Sequence, residues 1–334
     1  MQFRFTRIVV LVAGLSVATA ACGKYSIGSI RSAKAFQDGL AMYTKADYKN
    51  ASVNFEDAAR LNPSFGFSYF FLGNSYDKMY RVTRKGEPEN DGYLQKAVTN
   101  YRKSIEMLTN STEPQAAQFR NLSYQYLIAA YGPDRLDDFV QAEVVAKELI
   151  AAVPDEPGNY QALGRLYQDK GRMEEAEAMF VKGAEVKPTD PVGFQMLANF
   201  YNQQGEFDKT VAAFQKRADI EPNNPEAWHT MGTFYYDKVL RDTRLAPAVA
   251  KAYLQKGLES EDKALALNTE YYEAVSYKSM LLSLSANREN DSAAKKKLLA
   301  DADVYYKKAM AIKKAQDAAT AASAAAAAPA PAKK

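Results

Sequence analysis

The sequence holds one cysteine, one histidine and one tryptophan in 334 residues. A single cysteine closes no disulfide within the chain, so no disulfide framework is expected. One His and one Cys do not make the usual zinc ligand set. Nor does His229 have the second partner that a Ser–His or Cys–His nucleophile requires. The sequence also lacks a G-x-x-x-x-G-K-[ST] loop and a G-x-G-x-x-G at a strand-to-helix junction, and no strand pattern exists to host either. Glu174 and Glu175 are adjacent carboxylates on a helical stretch, too common there to mark a glycosidase. These absences lead us to expect no enzyme, no cofactor and no metal site.

Charge of one sign is lacking too. Lys and Arg number 43 against 40 Asp and Glu. No basic stripe interleaves with stacking aromatics, so nucleic acid is not an expected partner. The charges are spread along helical stretches, as solvated faces are.

Apolar runs long enough to span a bilayer are missing as well. The longest, Ile8 to Ala18, follows a basic start at Arg4 and Arg7 and precedes small residues, the pattern of a bacterial export signal. Thr19-Ala20-Ala21-Cys22 resembles a lipobox, cut before a Cys that becomes acylated, with Thr19 where an aliphatic residue is usual. The rival reading is ordinary cleavage after Ala20, which leaves Cys22 as a free thiol. Lipidation of Cys22 is the favoured expectation, because the lone Cys stands where that box needs it. Gly23 after the Cys, by resemblance to other lipoproteins, implies an outer-membrane destination facing the periplasm; a soluble periplasmic protein is the alternative. The expected organisation is a signal over 1–21 and a lipidated linker over 22–31. At the other end, 315–334 is an Ala/Pro/Lys-rich tail whose Ala run extends the preceding helix until Pro329 and Pro331.

What is present is repetition. Asn159 to Pro188 overlays Gly193 to Pro222 at an offset of 34 residues. Tyr160 matches Phe194, Leu163 matches Leu197, Gly164 matches Ala198, Tyr167 matches Tyr201, Gly171 matches Gly205, and Phe180 matches Phe214. The register extends both ways, through Gly39, Phe55 and Pro63, then Tyr69, Gly73 and Tyr76. Later it runs through Trp228, Met231, Gly232 and Tyr235. A period of this length marks a helical repeat array.

These residues resemble the tetratricopeptide repeat, whose pattern is an aromatic, a Leu-Gly pair, a Tyr, then Ala, Phe, Ala and Pro. The resemblance covers 32–314, in units near 32–65, 66–113, 121–156, 157–190, 191–224, 225–271 and 272–314. It implies an all-α, right-handed α-solenoid of about seven stacked helix-turn-helix units. Apolar residues at three- and four-residue steps give two amphipathic helices per unit. Gly171 falls in the turn and Pro188 stops the second helix. One unit cannot bury its own apolar face, so the units need stacked neighbours. Most of the 22 Tyr and 16 Phe then occupy core slots.

The resemblance also implies a ligand groove lined by the first helix of each unit. Its residues would be Gln161, Arg165 and Gln168, then Gln195, Asn199 and Asn202, then His229, Thr233 and Tyr236. Amides at such positions suit an extended peptide backbone, since each both donates and accepts; a solvated helix face with no ligand is the equal rival. The N-terminal groove is expected to be an apolar strip of Phe36, Leu40, Tyr43 and Phe70, with Asn74 beyond. Such a strip needs covering by a partner, a second copy or residues 23–30. Asn74 and Asn199 stand at the Asn place of the family's carboxylate clamp, but Phe70 and Gln195 replace its Lys, so that clamp is not expected.

Two insertions share D-K-x-x-R-x-T-R followed by Y-L-Q-K. They run from Asp77 to Ala97 and from Asp237 to Gly257, and should lengthen connections within the second and sixth units. Arg81 with Arg84, or Arg241 with Arg244, is a candidate pair for holding a carboxylate or phosphate. The favoured reading is an Asp–Arg pair one turn apart that only stabilises a helix. The whole points to a lipid-anchored, non-catalytic adaptor for peptide or protein partners in cell-envelope assembly or secretion. The alternative is a self-associating envelope spacer.

Overall fold

The structure, a computed structural model, describes residues 27–327. Cys22, the export signal and the end of the tail lie outside the described residues. Every regular element among the described residues is helical. In chain order these are α1 (Ile27–Thr44), α2 (Tyr48–Leu61), α3 (Gly66–Met79), α4 (Pro88–Leu108), α5 (Ala116–Ala130), α6 (Phe139–Ala152), α7 (Pro157–Asp169) and α8 (Met173–Glu185). They continue as α9 (Pro191–Gln203), α10 (Phe207–Ile220), α11 (Pro225–Arg241), α12 (Pro247–Leu267), α13 (Tyr272–Asn287) and α14 (Ser292–Ala327). The packing is the repeated helix-turn-helix of an α-solenoid.

Local chemistry sets the helix ends. Asp47, Asp138, Asp190 and Asn224 cap α2, α6, α9 and α11, each side chain accepting a hydrogen bond from a backbone N–H that has no partner within the helix. Pro88, Pro191, Pro225 and Pro247 open α4, α9, α11 and α12, where the missing N–H costs nothing. Gly171 and Gly205 turn the chain between paired helices with φ of 73° and 74°, a region that side chains with a Cβ rarely adopt.

The described residues form two compact units, 27–154 with Arg165–Gly171, and Asp155–Gly164 with 172–327. In the first unit, α1 to α6 pack in succession around an aromatic core of Phe36, Phe55, Phe67, Phe70, Phe71, Tyr101 and Phe119. Phe55 and Phe71 stack at 5.5 Å, and Phe119 meets Phe70 edge-on at 4.8 Å. Burying each such ring is worth about 1.5–3 kcal/mol, with about 0.5–1.5 more for a favourable ring pair. In the second unit, α8 to α14 pack in succession, with Phe180 stacked on Phe200 at 4.7 Å and Phe214 against Phe234 at 4.7 Å.

The inserted residues differ from the expected long connections. Most of them are helix: α4 and α12 each run 21 residues, against 13 or 14 in α8, α9 and α10. Only short links remain, one of them a 3-10 turn at Val82–Arg84.

Candidate functional site

The N-terminal strip is not open. Phe36, Phe70 and Asn74 are buried, while Leu40 and Tyr43 are half-buried. The covering comes from this unit itself, because Phe65 and Phe71 pack on Phe36, and Phe71, Phe119 and Tyr126 pack on Phe70. Asn74 is committed as well. Its Oδ1 accepts from the Tyr43 hydroxyl and its Nδ2 donates to Tyr101 Oη at 3.2 Å. Burial pushes the Tyr101 phenol well above its ordinary value and Tyr126 up to about 12, so these hydroxyls stay protonated and able to donate. Asn74, expected beyond the apolar strip, is thus part of an interior hydrogen-bond network.

In the second unit the equivalent face of α9 is polar and accessible. Gln195, Asn199 and Asn202 lie one and two turns apart on that helix, with Asn199 and Asn202 exposed and Gln195 half-buried. Gln195 Nε2 donates to Asn199 Oδ1 at 3.3 Å, and Arg217 on α10 donates to Gln195 Oε1. Arg217 is fixed by Glu221 at 3.0 Å and by Glu226 at 3.7 Å. Arg217 was not anticipated from sequence; its half-buried guanidinium orients the first amide of the strip. On α7, Arg165 is exposed, and Gln161 and Gln168 are half-buried.

Of the third expected trio, His229 is turned inward, while Thr233 and Tyr236 are half-buried. His229 is buried, its ring edge-on to Tyr271 and Tyr277 at 5.3 and 5.2 Å. Its Nδ1 lies 3.1 and 3.0 Å from the two oxygens of Glu261. Thr233 Oγ1 donates to Thr230 O at 2.7 Å, and half-buried Tyr236 meets Tyr277 edge-on. Trp228, next to His229, is buried with Nε1 donating to Pro222 O at 3.2 Å and Lys263 Nζ 4.0 Å from its ring centre.

Glu261 explains why His229 turns inward. A Cβ on Gly39 would strike Phe55, one on Gly73 would meet Tyr101, and one on Gly164 would meet Phe180. At Gly232 the neighbour in that slot is Glu261, whose carboxylate occupies the space a Cβ would need. A carboxylate with none of its surface exposed needs a partner, and His229 supplies it. Burial raises the Glu261 carboxyl to about 7, opposed by the hydrogen bond from His229.

The two insertions behave differently. In the first, Arg81 Nη1 donates to the backbone carbonyl of Lys78 at 2.8 Å, and Arg84 is taken by Glu87. Asp77 is buried and pairs with Arg135. Asn90 accepts from the Arg81 N–H at 2.8 Å and donates to the carbonyls of Arg81 and Arg84, while Asp91 accepts from the Gly86 N–H. Both arginines are exposed, Arg81 turned to backbone carbonyls and Arg84 to Glu87.

In the second insertion, Arg241 pairs with Asp237 at 3.1 Å on the surface. A cleft of about 570 Å³ opens beside it, with Phe207 and Phe234 as apolar wall and Asn202, Arg241, Asp242 and Arg244 at its edge. The structure therefore brings together three residues expected separately: Asn202 at the end of the amide strip, and both arginines. Lys238 and Asp242, also in this cleft, were missed; their i,i+4 spacing on the C-terminal turn of α11 was the available signal. Among the described residues no group of three or more His, Cys, Asp or Glu is arranged to hold a metal, and no helix is long and apolar enough to cross a membrane.

Comparison with known proteins now bears on this arrangement. The family model for the tetratricopeptide repeat matches residues 157–190. Residues 157–190 thus form a recognisable tetratricopeptide repeat, and the solved structures bear on the fold of the rest. A solved structure of the C-terminal part of a TPR repeat-containing protein from Cytophaga hutchinsonii is similar over 84% of this chain and 98% of its own, at 16% identity and a TM-score of 0.50. That likeness speaks to fold. MamA from Desulfovibrio magneticus RS-1, residues 41 to the end, is similar over 60% of this chain and 98% of its own, at 16% identity and a TM-score of 0.38. A pentatricopeptide-repeat-containing protein of Arabidopsis thaliana is 46% identical over 44 residues, 13% of this chain. The chain matches only 10% of that relative's length. Tetratricopeptide-repeat proteins generally act as non-catalytic scaffolds that bind peptide or protein partners.

Proposed function

We propose that this tetratricopeptide-repeat chain is a scaffold of the bacterial cell envelope that holds an extended segment of a partner protein along α9. The observation that carries the reading is the contrast between two amide positions. Asn74 is buried and bonded to Tyr43 and Tyr101, whereas Asn199 is exposed and its neighbour Gln195 is held in place by Arg217. An accessible, oriented amide strip can hydrogen-bond a peptide main chain, and a fixed donor loses little conformational freedom on binding. The envelope location rests on the sequence of the first 22 residues: a basic start, the apolar run Ile8 to Ala18 and Cys22 as an acylated anchor. An outer-membrane lipoprotein facing the periplasm, serving assembly or secretion, fits those features.

The test is crosslinked co-purification from envelopes of the native host, comparing wild type with Gln195→Ala plus Asn199→Ala. A dominant heterologous partner that disappears with the double substitution supports the scaffold reading. Recovery of this chain alone, unchanged by the substitution, would replace it with a self-associating spacer. Metabolic labelling with a clickable fatty acid, lost in Cys22→Ser, checks the anchor.

A further inference from the structure

We infer that the cleft beside the second insertion is a carboxylate-binding subsite that reads an acidic residue of the peptide held on α9; the inference rests on the scaffold reading above. The strip ends there, because Asn202 belongs both to the α9 face and to the cleft wall. From Gln195 to Asn202 the helix rises about 10 Å, the span of about three residues of extended chain. An acidic side chain about three residues from the segment on Gln195 therefore reaches the cleft.

The charges in the cleft favour an incoming anion. Asp242 is already engaged: Lys238 donates to one of its oxygens at 3.0 Å, and the Arg244 backbone N–H donates to the other at 3.1 Å. The Lys238 hydrogen bond holds the Asp242 carboxyl below its ordinary value, so it stays ionised and occupied. The Arg244 guanidinium is 94% exposed and lies 3.8 Å from that same carboxylate. Arg241 has Asp237 as its counter-charge in a solvent-exposed pair, the kind that contributes little and is readily exchanged. The lining thus offers Lys238, Arg241 and Arg244 against Asp237 and Asp242, with one positive charge in excess. Phe207 and Phe234 shield one side, and Lys238 Nζ already lies 5.4 Å from the Phe207 ring centre. An Arg fork in such a place matches carboxylate geometry.

The first insertion is held differently. There the anchors are Glu87, Asn90 and Asp91, which take up Arg84, the Arg81 backbone and the Gly86 N–H. Counted from the shared Asp, the second insertion places Pro247, Ala250 and Lys251 at those positions. None of the three side chains can accept a hydrogen bond, so the second insertion has no counterpart of Glu87, and its arginines are left with the surface contacts to Asp237 and Asp242.

The test is selection of random peptides on the full chain, followed by fluorescence anisotropy with an enriched peptide. Enrichment of Asp or Glu at one position is expected, with about tenfold weaker binding after a Glu→Gln change in the peptide. Arg241→Ala plus Arg244→Ala should abolish that discrimination while leaving the Gln-containing peptide bound as before. Arg244→Lys, which keeps the charge and loses the fork, should fall between. An amidated C-terminus on the same peptide distinguishes a side-chain carboxylate from a terminal one. Enriched peptides with no acidic preference, or a preference that survives the double substitution, would overturn the subsite and leave the scaffold reading standing. Enrichment of nothing, or binding indifferent to Gln195→Ala plus Asn199→Ala, overturns both.

Discussion

In the hairpin α3–α4, Asp77 directly follows Tyr76, the Tyr that follows the Leu-Gly pair in the repeat pattern. In α11–α12, Tyr236 stands between Tyr235 and Asp237. The shared D-K-x-x-R-x-T-R is therefore displaced by one residue against the repeat register, a rotation of about 100° around the helix. The consequence is visible in exposure. The Asp77 side chain is 6% exposed and pairs with Arg135, while that of Asp237 is 44% exposed and pairs with Arg241 along its own helix. One motif serves as an interior anchor in the first hairpin and as a surface edge in the second. A second difference lies within α11–α12, where the slot opposite the repeat glycine holds Glu261 instead of the Tyr101 of the first hairpin.

The contrast can be broken most strongly at that slot. Tyr101→Ala removes a fully buried ring and should cost about 3–5 kcal/mol, measured by urea denaturation followed by circular dichroism. Unchanged stability would mean that the ring is not a core element. The paired aspartates come next. Asp77→Ala leaves Arg135 without its buried partner and should cost about 2–4 kcal/mol, whereas Asp237→Ala should stay within about 0.5 kcal/mol. Equal losses would remove the register argument.

The polar slot predicts a pH effect of opposite sign to most carboxylates. Burial raises the Glu261 carboxyl from 4.5 to about 7 in the folded chain. A group raised in this way contributes most below its unfolded value, and that contribution is lost as pH rises through its folded value. Between pH 4.5 and about 7, stability of the second unit should therefore fall by roughly 2–3 kcal/mol from this group, with His229 working against the loss. Glu261→Gln should flatten that slope. A slope unchanged by the substitution would assign the dependence elsewhere.

Much of the fold was legible because it depends on local chemistry. Gly171 and Gly205 mark turns, and the helices before Pro154, Pro188 and Pro222 end within a few residues of them. Phe55, Phe180 and Phe214 are core residues, as the repeat pattern implies. The site was less legible, for reasons of distance along the chain. Asn74 looks like the edge of an apolar groove until Tyr43 and Tyr101 arrive from α1 and α4 to bond it. His229 looks like a groove residue until Glu261 arrives from α12. Aligning the two insertions on their shared motif concealed the one-residue slip, which appears only when both are counted from Tyr76 and Tyr235.

The burial of Trp228 has a practical consequence. It is the sole indole in the chain, it lies in the second unit, and a lysine ammonium sits against its ring. Selective excitation of that indole reports on one unit, whereas tyrosine emission arises from both. The protein thus carries an internal optical label, and a difference between the two signals during unfolding would show the units parting company without any dye or engineered residue.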